Sequence, residues 1–164
     1  MSTTLRIGRL DVVVDGGRVT FAGRIDEASA LAGLASVIPA GDVAIDTSGV
    51  TFINSSGMRE WIRLVRVLRD RGTITLDRVA DVLITQMNLI PEFATSVTIA
   101  SFHAHYGCGR CGAEVTPVVD AIAYAEVLRR MQAPRLPCPE CGADMELGDF
   151  PERYLTVFRP CATS

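Results

Sequence analysis

The sequence predicts an α/β fold, with strands and helices in the order β-β-α-β-α-β-α-β, followed by a small cysteine-containing unit. Short apolar strand-like runs alternate with segments whose apolar residues recur at helical spacing. Helices between successive strands in a short chain are typical of a mostly parallel or mixed sheet flanked by helices. After residue 101 the composition changes, and four of the five cysteines form two Cys-x-x-Cys pairs. We therefore predict two domains, 1–101 and 102–164.

The first three elements are predicted from alternation and from turn residues. Residues 5–14 and 18–22 alternate apolar with polar side chains, and Asp15-Gly-Gly17 lies between them, which indicates a hairpin. Asp26 is the expected N-cap of a first helix over residues 28–38. Two strands therefore precede the first helix.

The rest of the first domain is predicted by the same two patterns. The expected elements are a buried strand over 43–46, the longest helix over 56–71, a strand over 74–79, a third helix over 82–90 and a last strand over 97–99. In the second domain we expect a helix over 118–131 between the cysteine pairs, and short strands over 145–147 and 154–158.

Composition and charge exclude several classes of function. The net charge is −3, and all sixteen basic residues are arginine, so no P-loop, Schiff-base or kinase-type lysine exists. The acidic balance disfavours nucleic-acid binding. No run approaches the length of a membrane span, and no secretion signal is evident, so we expect a cytoplasmic protein.

A serine-rich turn precedes the longest predicted helix. Asn54-Ser-Ser-Gly57 offers side-chain oxygens just before helical periodicity begins at Met58. Ser55 or Ser56 would thus lie at a helix N-terminus, where unpaired N–H groups and the positive dipole end favour a phosphate. The plain alternative is that one of these serines is a helix cap.

The residues around this turn resemble a known family. The run Val43-Ala-Ile-Asp-Thr-Ser-Gly-Val-Thr-Phe-Ile-Asn-Ser-Ser-Gly-Met58 is similar to the signature of STAS domains, the family of the bacterial anti-sigma factor antagonists. Gly23-Arg-Ile-Asp26 resembles the family's early Gly-x-Ile/Leu-Asp element, and Gly72-Thr-Ile-Thr-Leu76 resembles its fourth strand. The resemblance covers residues 5–100 and implies a small mixed sheet flanked by helices.

The resemblance also implies a function and a site. In such domains a partner kinase phosphorylates the first serine of Asp-Ser-Ser/Thr-Gly, which corresponds to Ser55, with Ser56 as the other candidate acceptor; Asn54 replaces the family's acidic residue. The implied partner is an anti-sigma factor or related serine kinase, bound when the serine is bare and released when it is modified. The predicted partner-binding residues are Asn54, Ser55, Gly57, Met58, Arg59 and Arg63.

Arginines also recur along the predicted long helix, at positions 59, 63 and 66. Such a stripe is either a solvated helix face or a surface that steers an acidic partner to the serine turn.

The two cysteine pairs predict one structural zinc ion. Cys108, Cys111, Cys138 and Cys141 provide four thiolates, and a glycine follows each pair, which resembles the knuckles of zinc ribbons. Four cysteines close the coordination sphere, so we do not expect catalytic zinc. His103 and His105 lie just upstream and are expected to be ordinary strand or surface residues, and Cys161 is expected to be a free thiol.

The sequence is also compatible with other functions and with self-association. Asn54 favours a constitutive scaffold, or a subunit of a multi-protein or transport complex, without phosphorylation. The arginines at 110, 129, 130 and 135 favour a nucleic-acid-binding zinc ribbon, and paired thiols also suit a redox sensor. Self-association through the ribbon would give a homodimer. No Ser/His/Asp set or phosphate-binding glycine loop is found, so we expect no enzyme.

Overall fold

A six-stranded mixed sheet forms the centre of the computed structural model, which describes residues 2–159 and, for residues 91, 92 and 94, the backbone alone. The strands lie in chain order, with β1–β2–β3 antiparallel and β3–β4–β5–β6 parallel. Their bounds are β1 Ser2–Ile7, β2 Leu10–Asp15, β3 Arg18–Ile25, β4 Val43–Ile53, β5 Ile74–Asp77 and β6 Thr98–Ile99. The structure therefore confirms the prediction of a mixed sheet with helices.

The sheet begins with three strands, so the prediction of two strands before the first helix is wrong. An additional turn at Gly8-Arg9 divides the first predicted strand into β1 and β2. Gly8 has φ +61°, and a Cβ at this position would lie 2.8 Å from the Cβ of Ala28. Only glycine therefore fits this turn without strain.

The predicted first helix over 28–38 is also wrong. The chain forms a 3₁₀ segment at Leu31–Ser36, and its preceding residue, Ala30, provides no side-chain cap. Asp26 is not an N-cap here: its carboxylate accepts the N–H of Ala28 at 3.0 Å, which turns the chain immediately after β3. Asp26 is therefore a buried turn residue.

The long helix is observed close to its predicted bounds. Helix α1, Ser55–Arg69, packs Trp61, Leu64 and Leu68 into the core, and each is at most 1% exposed. Trp61 meets Phe21 of β3 edge-to-face, with 5.7 Å between ring centroids. Helix α2, Asp81–Met87, is shorter than the predicted helix over 82–90: residues 88–90 form a turn, and a second 3₁₀ segment, Pro91–Ser96, follows.

The C-terminal part contains two small antiparallel sheets. One has four strands in the order β11-β12-β8-β9, and the other pairs β7 with β10. The elements are β7 Ser101–His103, β8 Tyr106–Gly107, β9 Glu114–Val115, β10 Val118–Asp120, α3 Ala125–Arg129, β11 Leu136–Pro137, β12 Asp144–Leu147 and α4 Pro151–Leu155, followed by a 3₁₀ segment, Thr156–Phe158.

Two predictions for this part need correction. The helix expected over 118–131 is only five residues long, because Val118 and Val119 pair with β7 and the Asp120 carboxylate accepts the N–H groups of Ile122 and Ala123 in a tight turn. The strand expected over 154–158 is helical, since Pro151 at the first helical position favours a helix start.

The C-terminal segment packs back onto α2. The Tyr154 hydroxyl donates a hydrogen bond to the Asp81 carboxylate, and the Asn88 side-chain oxygen accepts the N–H of Val157 at 2.9 Å. Phe158 contacts Phe102 of β7, with 5.1 Å between ring centroids. The division into domains at residue 101 stays a prediction. Within residues 2–159, no helix combines the length and apolar character needed to cross a membrane.

Candidate functional site

Each cysteine pair lies in a tight turn between two short strands. The first pair connects β8 to β9, and the second connects β11 to β12. Strands β12 and β8 pair with each other, so the two hairpins lie side by side in one sheet. This pairing brings together two motifs that are 26 residues apart in the sequence.

The two turns have the same backbone geometry. In the first turn, the Cys108 N–H donates to the carbonyl of Ala113 at 2.8 Å, and the Gly112 N–H donates to the carbonyl of Cys108 at 2.9 Å. In the second turn, the equivalent distances are 2.7 Å and 2.9 Å. Gly112 and Gly142 have φ values of +77° and +76°, which explains the glycine after each pair.

The four sulfur atoms converge on one point. All lie within 4.8 Å of one another, with Cys108 Sγ 3.5 Å from Cys141 Sγ and Cys111 Sγ 3.6 Å from Cys138 Sγ. A tetrahedral zinc ion with bonds of about 2.3 Å would hold its sulfurs about 3.8 Å apart. The four thiols are free, and they can hold one metal ion such as zinc.

The charge environment of the thiols also suits a cation. The backbone N–H groups of Cys111 and Arg110 lower the pKa of Cys108 to about 6, because they stabilise its thiolate. The pKa of Cys111 is raised to about 12: the N–H of Ala113 favours the thiolate, but desolvation and the neighbouring sulfurs outweigh it. A bound dication would remove this repulsion and stabilise all four thiolates.

The four cysteines differ in burial. Cys108 and Cys138 are 5% and 3% exposed and contact the core, Cys141 is half-buried, and Cys111 is exposed. Four sulfur ligands complete a tetrahedron and leave no position for a water molecule. Neither of the two upstream histidines belongs to the cluster. His103 Nδ1 lies 3.1 Å from the Thr116 carbonyl, and His105 Nε2 lies 3.9 Å from Glu114. Cys161 lies outside the described residues.

At the serine turn, the N-cap of helix α1 is Asn54 and not a serine. Asn54 has extended backbone geometry, and its side-chain oxygen accepts the N–H of Gly57 at 2.8 Å. Ser55, the first helical residue, is exposed, and Ser56 is half-buried. Within residues 2–159, the Ser55 hydroxyl has no hydrogen-bond partner and is accessible to another molecule.

A carboxylate lies beside this turn. The side-chain amide of Asn54 donates to Glu27 Oε2 at 2.9 Å, so Asn54 uses its oxygen for the helix and its nitrogen for Glu27. A backbone N–H and this amide together lower the pKa of Glu27 and stabilise its negative charge. The loop after β3 thus places a charged carboxylate beside the Asn54 side chain.

Two of the predicted partner-binding residues are buried in the structure. Met58 is 5% exposed and packs in the core. Gly57 is buried against β3, where a Cβ would collide with the backbone of Ile25. Asn54 is half-buried and makes the two hydrogen bonds to Gly57 and Glu27. Arg59, Arg63 and Arg66 are exposed along α1. Arg63 lies 3.4 Å from Glu60, and no ion-pair partner of Arg59 or Arg66 occurs in the described part of the chain.

Sequence reasoning missed a buried ionic cluster on the sheet. The Asp46 carboxylate is 1% exposed, binds the Arg78 guanidinium, accepts the N–H of Ser48 at 2.9 Å and lies 3.7 Å from Arg18. Burial alone would raise the pKa of Asp46, but Ser48 and Arg78 outweigh it, and the pKa is lowered. Asp46 therefore stays charged and holds Arg78, whose φ of +46° is unusual for a non-glycine residue.

The arginines that favoured nucleic-acid binding are all exposed; they are Arg110, Arg129, Arg130 and Arg135. No protein-family model and no curated protein matches the chain. The family resemblance therefore stays a prediction from the residues themselves.

Proposed function

We propose that this chain is a non-catalytic bacterial signalling protein, similar to the anti-sigma factor antagonists of the STAS family, that docks a protein partner through the Ser55 turn. The proposal rests on the exposure of the Ser55 hydroxyl. Its hydroxyl is exposed at the start of a 15-residue helix, while Asn54 provides the cap. Ser55 is therefore not needed to form the helix, and its hydroxyl is available for contact or modification.

Phosphorylation of Ser55 would switch the docking surface off. A phosphate adds about −1.5 to −2 charges and three acceptor oxygens at this position. The carboxylate of Glu27 lies beside the same turn and is already charged. A partner surface packed here would then meet two anionic groups, and it would lose binding through repulsion and through the cost of removing water from the phosphate.

The exposed side of α1 supports an acidic partner surface. Arg59, Arg63 and Arg66 project from this side, and only Arg63 has a nearby acid on its own helix. Complementary charges of this kind mainly raise the association rate. By resemblance, the partner is an anti-sigma factor or a related serine kinase that also modifies Ser55.

The cysteine cluster is proposed to hold one structural zinc ion. Cys108, Cys111, Cys138 and Cys141 would be its ligands, and the ion would fix the two hairpins against each other. The zinc would contribute to folding and not to any reaction.

The proposal is tested with substitutions at neighbouring serines. Partners of the full chain are captured from the native cell and identified by mass spectrometry, and the purified partner is titrated calorimetrically. We expect Ser55→Ala to bind like wild type and Ser55→Asp to bind at least about tenfold more weakly, since each tenfold is about 1.4 kcal/mol. Ser56→Asp is the matched control, and we expect a smaller loss there because Ser56 is half-buried.

Equal affinities for Ser55→Ala and Ser55→Asp would contradict the switch. Docking would then be constitutive, as in the scaffold alternative. Loss of binding in Ser56→Asp alone would move the acceptor to Ser56.

A further inference from the structure

The two edges of the six-stranded sheet differ. At one edge β6 has only two residues and follows directly after a 3₁₀ segment. At the other edge β1 has six residues and, among residues 2–159, pairs only with β2. Natural proteins usually protect such an edge with proline, lysine, a bulge or a very short strand. Strand β1 has no proline, lysine or bulge, its register with β2 is continuous, and its one charged side chain, Arg6, is ion-paired with Asp11 of β2.

Two tight turns determine which backbone groups of β1 face outward. The turn at Gly8-Arg9 joins the pair Ile7–Leu10, and the turn at Gly16-Gly17 joins the pair Asp15–Arg18. The first residue of each turn is a glycine with positive φ, which is typical of two-residue hairpins. Such turns are closed by hydrogen-bonded pairs, and these alternate along an antiparallel ladder.

Both turns lead to the same assignment. Asp15 and Arg18 close the second turn as a hydrogen-bonded pair, so the odd-numbered residues of β2 form the hydrogen bonds to β3. The N–H and C=O groups of the even-numbered residues of β2 therefore face β1. From the first turn, Ile7, Leu5 and Thr3 bond to these even-numbered residues. The N–H and C=O groups of the remaining residues of β1 therefore point away from the sheet; these residues are Ser2, Thr4 and Arg6.

We propose that β1 pairs antiparallel with β1 of a second copy of this chain, about a two-fold axis at Thr4. Thr4 then lies opposite Thr4 of the other copy, and Ser2 lies opposite Arg6. All three outward residues thereby find hydrogen-bonding partners in the same register. The two six-stranded sheets would join into one continuous sheet.

The side chains of β1 are compatible with this pairing. Arg6 is the one charged residue of the strand, and it would face Ser2 of the other copy, so no like charges oppose each other. On the core-facing side, Leu5 is only half-buried, and it would lie beside Thr3 of the other copy. Pairing therefore covers apolar surface that the single chain leaves partly exposed.

This interface is independent of the Ser55 proposal and of the cysteine cluster. It involves neither α1 nor residues after β6, so binding through the serine turn and dimerisation through β1 can succeed or fail separately.

The test measures the mass of the full chain in solution by light scattering and sedimentation. We expect wild type at twice the 17.7 kDa chain mass. Thr4 is exposed, so Thr4→Lys and Thr4→Glu should fold, but each places like charges directly opposite each other in the dimer. We expect each variant alone to lose at least about tenfold in dimer affinity, and their equimolar mixture to recover a dimer containing one chain of each.

A matched control lies on the opposite edge of the sheet. Thr98 of β6 is also exposed, and Thr98→Lys should leave the mass unchanged. Thr4→Pro gives a second test, because it removes an outward N–H without removing a bond to β2; circular dichroism checks its fold. A monomeric wild type, or a dimer that persists in Thr4→Lys and Thr4→Glu separately, would overturn the proposal.

Discussion

The cysteine cluster and the serine turn differ in how complete they are. At the cluster, four side chains from two hairpins bring their sulfur atoms within 4.8 Å of one another. At the turn, a single exposed hydroxyl faces solvent, while the Asn54 side chain is engaged by the Gly57 N–H and by Glu27. The cluster contains all the ligands that a tetrahedral metal needs, whereas the contact proposed at the turn would need a partner to complete it.

This difference separates stability from recognition. A closed metal centre connects distant parts of the chain, so its loss should unfold the surrounding structure. An exposed hydroxyl at a capped helix start contributes little to stability, so its change should alter binding and leave the fold intact. The following predictions test that separation.

The largest effect is expected from removing the metal. Cys138→Ser replaces a buried ligand, and a strong chelator should have the same result on the wild-type chain. Structural zinc contributes roughly 10–16 kcal/mol of apparent binding free energy in small zinc domains. We expect loss of stoichiometric zinc, measured by elemental analysis, together with fast amide exchange in residues 106–147.

The matched control is Cys161→Ser, which removes a thiol outside the two pairs and should retain the metal. Slow amide exchange in residues 106–147 after complete metal removal would contradict a structural role for the cluster. If α1 also lost protection, the two regions would be energetically coupled.

An intermediate effect is expected at the helix cap. Asn54→Ala removes the acceptor for the Gly57 N–H and should lower the free energy of unfolding by about 1 kcal/mol, measured by urea denaturation. Asn54→Asp keeps the capping oxygen but loses the donor to Glu27 and places two carboxylates together. We expect it to be less destabilised than Asn54→Ala, with zinc retained in both. An unchanged stability in Asn54→Ala would show that the cap is unimportant.

Local sequence patterns predicted the mixed sheet and α1 because these elements depend on nearby residues. The helix repeats apolar residues on one face, and its cap lies directly before it. At the turn of Gly8 the positive φ is a local reason for glycine, whereas the close approach of Ala28 comes from a distant loop and has no signal in the neighbouring residues. The 3₁₀ segment and the short α3 likewise reflect turns around Asp26 and Asp120 that override helical spacing.

The same distinction applies to the sites. The cysteine ligands could be predicted because each pair and its glycine form one local turn. The contacts of Glu27 with Asn54 and of Arg78 with Asp46 join residues 27 and 32 positions apart, and a single sequence carries no local signal for them. Met58, a predicted partner-binding residue, shares the apolar face of α1 with Trp61 and is buried in the core.

The smallest effect on stability is expected at Ser55 itself. Its hydroxyl makes no hydrogen bond within the described residues, and alanine is a strong helix former. Ser55→Ala should therefore change the free energy of unfolding by less than about 0.5 kcal/mol and should retain zinc, as measured by urea denaturation and elemental analysis. A loss comparable to that of Asn54→Ala would show that the serine supports the helix. Ser55 would then contribute to stability, and the proposed division between a stabilising cysteine cluster and an accessible serine turn would be wrong.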